Sequence, residues 1–488
     1  MECRESERQA RPLQATHKSD NMFDASTYSQ RRTQLLNAIP GGLILLLGNE
    51  EVGMNYQANT YAFRQDSNFL YFFGLNQPGL MAILDADNGS ICLYGNDPTM
   101  EDMVWTGPQP VMAELGDRVG VKKTESFDAG INMLAQARKS GRTIHFLPPY
   151  RARNTRFLHE NLGIALDQVP AAASVDLIRA VVSLRSIKSN EEIAEMEEAL
   201  RITKAMHLAM MQGARPGLLE MELAGQVEGI AASGGGGLAY PVIMSVNGQV
   251  LHNHHHDQIM QEGQLLLGDF GAQTSSCYAG DITRTIPVSA TFSPLQRDLY
   301  QVVLDAQMEA INACRPGTSY QAIHLQAAKT MTAGLVDLGL MKGDPAEAVA
   351  AGAHALFFPH GLGHMIGMDV HDMEDLGEQY VGYDETVTRS DQFGTAYLRL
   401  GKKLQAGFVL TVEPGLYIIP ELIDLWQKDK KFSSFICYDK LADLRTFGGI
   451  RIEDNILVTD NDPKVLGPAI PKTVSEIEDI RRAALAGN

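Results

Sequence analysis

The chain reads as an α+β protein of two domains, a smaller α/β domain followed by a larger mixed one. Three observations give that reading. Its 488 residues, 44% of them hydrophobic, exceed what one core usually holds and suffice for two. From residue 22 to about 180, short apolar runs such as GGLILLLG, MAILDA and SICLYG alternate with polar helical stretches such as INMLAQARKS. From 181 onward, a long helical segment opens a region where β-rich apolar runs lie far apart and carry ionisable residues.

Taken in order, the elements start with residues 1–21, MECRESERQARPLQATHKSDN. Three Arg, one Lys and four acids without an apolar core suit a disordered tail, not a secretory signal, and the acids argue against a transit peptide. Residues 22–180 follow as the α/β domain, and PAAASVDLIRAVVSLRSIKS is the expected junction. Ser189-Asn-Glu-Glu192 has capping-box spacing, and Ile193, Met196, Leu200 and Met206 keep an approximately helical period, so a long helix should open the second domain, 181–488. Gly234 to Gly237 lacks the Lys-Ser/Thr of a phosphate loop and is expected to be a flexible turn.

Composition excludes several classes. A formal charge of −18 disfavours nucleic-acid or anionic-membrane partners, and no apolar stretch approaches spanning length. Cys3, Cys92, Cys277, Cys314 and Cys437 lack paired spacing, which points to reduced thiols and a cytoplasmic setting.

The chemistry lies in the second domain. In QLLLGDFGAQTSSCYAGDITRTIPV, two apolar strands joined by a turn-rich stretch bring Asp269 and Asp281 together as a hairpin. Two carboxylates there repel unless a cation lies between them, although a lone Asp beside Gly usually braces a turn. FFPHGLGHMIGMDVHD supplies His360, His364 and His371 among glycines that let the backbone pass close to a ligand. Glu413 in FVLTVEPGLYII and Glu453 in FGGIRIEDNILV sit in apolar runs where an unpaired carboxylate is costly to bury. For Glu453 a salt bridge to Arg451 on the same strand face is the plain alternative. Four carboxylates and an imidazole have the composition of a two-metal hydrolytic site, with hard donors suited to Mn²⁺ or Mg²⁺ and one His admitting Zn²⁺ or Co²⁺.

The ordered stretches GDITRT, PHGLGH followed by VHD, TVEPGLY and GGIRIED resemble the pita-bread metallopeptidases, within them the proline-specific branch of aminopeptidase P and prolidase. The resemblance implies a C-terminal pita-bread domain and two divalent metal ions, Mn²⁺ first, with Zn²⁺ or Co²⁺ as alternatives. It implies that Asp269 holds one metal, Asp281 and Glu453 bridge, and His364 and Glu413 complete the second. It further gives Glu413 the proton of the attacking water, His371 the stabilisation of the tetrahedral intermediate and His252 a contact near the scissile bond. His360 is expected to line the proline pocket, and Arg451 and Tyr417 to position groups around it. The imidazoles that follow His252 in the His252-Asn-His-His-His256 run are expected to rim the mouth of the site.

FRQDSNFLYFFGL and DMVWTGP resemble the N-terminal domain of aminopeptidase P, which in that family supports oligomerisation and narrows access to the site. A homodimer or homotetramer is thus expected, with Trp105 near a substrate channel or in a buried contact. Arg399, in YLRLGKKLQAG, falls where prolidases carry an Arg for a dipeptide's carboxylate, a job suited to a bidentate guanidinium. The expected activity is removal of the first residue from peptides with proline second; the alternatives are a prolidase and a pita-bread binding module without catalysis.

Overall fold

The computed structural model describes residues 22–487, so the expected tail 1–21 lies outside the described residues. The first domain is built on a five-stranded sheet of order β4-β3-β2-β1-β5, with β1 Leu43–Leu47, β2 Met81–Asp85, β3 Ile91–Tyr94, β4 Lys123–Glu125 and β5 Ile144–His145. β1, β2 and β3 pair antiparallel, while β5 joins β1 and β4 joins β3 in parallel. Alternation along β1 splits the core: Leu43 and Leu45 face one apolar cluster, and Ile44 and Leu46 face another. The second cluster continues without interruption into the larger domain, so the two domains share a core.

The junction sequence forms the helix Val175–Ser186, whose Leu177, Ile178, Val181 and Val182 are buried. The long helix after it spans Asn190–Gly213 with Ser189 as N-cap and a complete capping box to Glu192, as the spacing predicts. It turns through Pro216 and Gly217 into the helix Glu220–Ser233. A second pair, Pro294–Ala313 and Tyr320–Asp337, turns the same way through Pro316 and Gly317. Gly217 and Gly317 have φ of 90° and 84°, a left-handed backbone that favours glycine at both turns.

The first helix pair is followed by β6 Ile243–Val246, β7 Leu265–Phe270 and β8 Ile282–Pro287, antiparallel in the order β6-β7-β8. The second is followed by β9 Val409–Val412, β10 Gly415–Tyr417, β11 Gly449–Arg451 and β12 Asp454–Leu457, in which β9 pairs with β12 and β10 with β11. The Gly234–Gly237 segment is more than a flexible turn. A side chain at Gly236 would lie 2.2 Å from the Gln273 carbonyl oxygen, so glycine lets this segment press against the β7–β8 hairpin.

Candidate metal centre

Asp269 lies directly opposite Thr283 in the β7–β8 ladder, and Asp281 precedes β8 by one residue, two positions before Thr283. Strand alternation puts both carboxylates on one face as diagonal neighbours. Glu453 occupies the link between β11 and β12, where its backbone N–H donates to the Thr283 carbonyl at 3.1 Å. Its Oε2 accepts from the Thr283 hydroxyl at 2.6 Å. Glu413 follows β9 and is anchored through its N–H to Leu362 O at 2.8 Å. His364 is held by its N–H to Thr411 Oγ1 at 3.1 Å.

The glycines beside the histidines serve the neighbouring backbone. A side chain at Gly363 would meet the Thr411 carbonyl at 2.1 Å, so its absence lets the His364 segment lie against β9.

One cavity of about 540 Å³ is lined by Asp269, Asp281, His364, Glu413 and Glu453, together with His252, His360, His371, Arg399 and Arg451. Ligand atoms of Asp281, His364 and Glu453 lie within 4.8 Å of one another. The His364 ring shows what belongs between them. Its Nδ1 contacts the Met365 carbonyl at 3.1 Å and must carry the hydrogen, which leaves the Nε2 lone pair facing Asp281 Oδ2 at 3.5 Å and Glu413 Oε1 at 3.6 Å. Burial lowers its pKa to about 4, so the ring stays neutral at pH 7. A lone pair facing carboxylate oxygens is repulsive without a cation, so the residues fit divalent metal.

The carboxylates agree. Burial first, then mutual repulsion, raises Glu453 well above the usual range and Glu413 to about 8. Burial likewise raises Asp269 and Asp281. Metal cations relieve that penalty by neutralising the cluster.

Several partners differ from the sequence-based expectation. Arg451 does not bridge to Glu453. Its Nη2 pairs with Asp269 Oδ2 at 2.6 Å, its Nη1 donates to Tyr417 Oη at 2.6 Å and its Nε to Thr283 Oγ1 at 3.2 Å. Tyr417 does not line the cavity; fully buried, it stands behind the wall and bonds His360 Nε2 at 3.1 Å, which makes it a support for His360 and Arg451. Tyr240 is an addition that sequence reasoning missed. Its hydroxyl bonds Asp269 Oδ1 at 2.6 Å and also Asp281 Oδ1, tying the two acids together.

The remaining groups surround the centre. The His371 ring lies 4.3 Å from His364, and its Nδ1 bonds Glu374 Oε2 at 2.7 Å. Glu374 also holds Arg399 Nη1 at 2.5 Å, and Glu378 shares that Nη1 at 3.2 Å. The His371 bond, followed by Arg399, draws the Glu374 pKa down to about 2. Of the extra imidazoles near His252, His254 joins the cavity wall, whereas His256 turns back to the Val242 carbonyl at 3.1 Å. Trp105 is 80% exposed and lines neither this cavity nor a buried contact.

This fold and this acidic, histidine-lined centre are those of a metallopeptidase. The chain belongs to metallopeptidase family M24, whose model matches residues 194–460, and an aminopeptidase P N-terminal domain matches residues 28–145. It is 30% identical to the Xaa-Pro aminopeptidase of Escherichia coli K12, over 94% of this chain and 98% of that one. It is equally 30% identical to the human Xaa-Pro dipeptidase, over 92% and 89% of the two chains. Among solved structures, Pseudomonas aeruginosa aminopeptidase PepP superposes with a TM-score of 0.78 at 28% identity, covering 95% of this chain and 99% of that one. A zinc-substituted Escherichia coli aminopeptidase P in complex with product superposes with a TM-score of 0.76 at 28% identity and the same coverage.

Proposed function

We propose that the chain is an Xaa-Pro aminopeptidase that removes the first residue from peptides with proline in second position. The observation that carries this reading is the neutral His364 lone pair turned toward the carboxylates of Asp281 and Glu413 in a cavity also lined by Asp269 and Glu453. Asp269, Asp281, His364, Glu413 and Glu453 are the residues that would hold two divalent cations. Oxygen-rich donors favour Mn²⁺, and one imidazole keeps Zn²⁺ and Co²⁺ in range. When bound, the cations acidify water and polarise the scissile carbonyl.

The chain's own residues do the rest. Glu413 takes the proton of the attacking water. Glu374 accepts the Nδ1 hydrogen of His371 and favours the protonated ring, the form in which Nε2 also carries a hydrogen and donates to the carbonyl oxygen as negative charge develops there. His252 contacts the substrate near the scissile bond. His360, braced by Tyr417, forms the wall against the proline ring, and Arg451 fixes Asp269. Proline lacks the N–H on which general peptidases rely and has a fixed φ, so selection comes from a shaped wall in place of a backbone hydrogen bond.

Two further readings accompany this one. Met100, Val104 and Trp105 are 75%, 74% and 80% exposed on the short helix Met100–Thr106, a surface suited to a second copy in a dimer or tetramer. Cys92, Cys277, Cys314 and Cys437 are all unpaired, which supports a reducing, cytoplasmic setting. Among the described residues no helix is long and apolar enough to cross a membrane.

A prolidase is the second reading, favoured by Arg399 in the cavity wall. The test is hydrolysis of an Xaa-Pro dipeptide and of the same sequence extended by several residues, after chelation and Mn²⁺ reloading. The expected result is cleavage of the extended peptide with release of only its first residue. Cleavage confined to the dipeptide would make the chain a prolidase. No cleavage and no bound metal would favour a binding module.

A further inference from the structure

A cavity of about 850 Å³ opens between the junction helix Val175–Ser186 and the 379–408 part of the second domain, a volume that admits a small organic molecule. It shares no wall residue with the metal-centre cavity and is a separate place on the molecule. Arg179 and Ser186 line it from the helix, and Tyr380, Tyr383, Lys402 and Phe408 from the facing side.

Lys402 is the unusual member. It is only 8% exposed, yet among the described residues its ammonium makes neither an ion pair nor a hydrogen bond. The Phe408 ring, its centre 5.2 Å from the ammonium, offsets only part of the cost of burying that charge. Lys188 shows the usual solution: similarly buried, it pairs with Asp372 at 2.8 Å. Asp384 also lines the cavity, but it is exposed and its Oδ1 accepts from the Thr386 N–H at 2.8 Å and the Thr386 hydroxyl at 2.7 Å instead. On the helix wall Ser186 is 3% exposed, and its hydroxyl likewise lacks a hydrogen-bond partner. Burial lowers the Lys402 pKa to about 8, so at pH 7 the ammonium is still the larger form and is a charge without a counter-ion.

We infer that this cavity binds a small organic oxyanion, a phosphate ester or a carboxylate, whose charged group pairs with the Lys402 ammonium. An ammonium is a point charge that accepts either group, and the Ser186 hydroxyl is the free donor on the facing wall. The rings of Tyr380, Tyr383 and Phe408 suit the organic part of the ligand, and Arg179, over Tyr380 at 6.0 Å, adds a second positive charge. Asp384 and Glu385 keep the exposed side acidic, which disfavours a polyanion such as a nucleic acid.

The test is thermal unfolding of the Mn²⁺-loaded full chain at pH 7, titrated with inorganic phosphate or with acetate as the two head groups, against chloride at matched ionic strength. Binding at one site raises Tm steeply at low concentration and then only logarithmically, whereas exclusion of salt from the surface raises it steadily. The expected result is the first curve in wild type and an apparent Kd weakened by about tenfold or more in Lys402→Met, which keeps the buried stem and removes the charge. In chloride this variant should be at least as stable as wild type, because an unpaired buried charge has gone. Lys402→Gln gives the same comparison if the Met variant fails to fold. A steep curve with phosphate alone assigns a phosphate ester, with acetate alone a carboxylate, and with both an oxyanion site that takes either. A steady rise with both anions in wild type would overturn the inference, and so would a steep curve that both variants retain, since that binding belongs to the metal centre.

Discussion

At the scale of single residues, Tyr240 carries a sharp expectation. Its hydroxyl joins Asp269 and Asp281, so Tyr240→Phe leaves both acids less well oriented and should lower metal affinity or turnover by about 10- to 100-fold, read by metal titration alongside kcat. Unchanged metal affinity and turnover would make the bond incidental. Glu413→Gln keeps the shape but cannot take a proton; kcat should fall by about 10²- to 10⁴-fold at matched metal content. Turnover at the wild-type rate would remove Glu413 from proton transfer. The acids and His364 were legible because each sits in a local apolar run where an ionised group needs a reason. Tyr240 was not, because a tyrosine in GGLAYP carries no such signal. Nor was the partner of Arg451 legible: the sequence offered Glu453 two positions away, while the fold delivers Asp269 from 182 positions away.

At the scale of elements, local chemistry predicted local structure well. The Ser189 capping box starts its helix where the spacing places it, and the apolar runs in QLLLGDF and ITRTIPV give β7 and β8, buried along their whole length. The likeness of the two helix pairs escaped notice because it rests on a short Arg-Pro-Gly turn, residues 215–217 and 315–317, within otherwise dissimilar helices. The 368–376 segment depends on a buried charge cluster. Asp372 accepts from Arg185 at 2.6 Å and from Lys188 at 2.8 Å, with the acid and both cations almost wholly buried. Asp372→Ala strands Lys188 and leaves Arg185 only its Asp369 pair, and should cost about 3 kcal/mol in urea unfolding while loosening the segment that carries His371. A loss below about 1 kcal/mol would show that water reaches this cluster and replaces the carboxylate.

At the scale of the whole molecule, three buried histidines set the acid limit. Burial lowers the pKa of His207 and His324 to about 3 and of His354 to about 4, against 6.5 in the unfolded chain. Between these limits the unfolded state binds more protons, so stability is full above pH 6.5 and falls as the pH drops through the window. Each histidine contributes about 1.4 kcal/mol per pH unit to that loss. Tm should therefore drop clearly between about pH 7 and about pH 5, and a flat profile would contradict it. If the exposed helix Met100–Thr106 seats a second copy, Trp105→Glu should lower the mass measured by light scattering; an unchanged mass would place the contact elsewhere. The four acids and one imidazole of the metal centre are drawn from positions spread between Asp269 and Glu453. Synthesis thus delivers the last of them, Glu453, long after the first, Asp269. A chain that stops before Glu453 has no complete hydrolytic centre, so partial products of that length cannot degrade peptides around the ribosome.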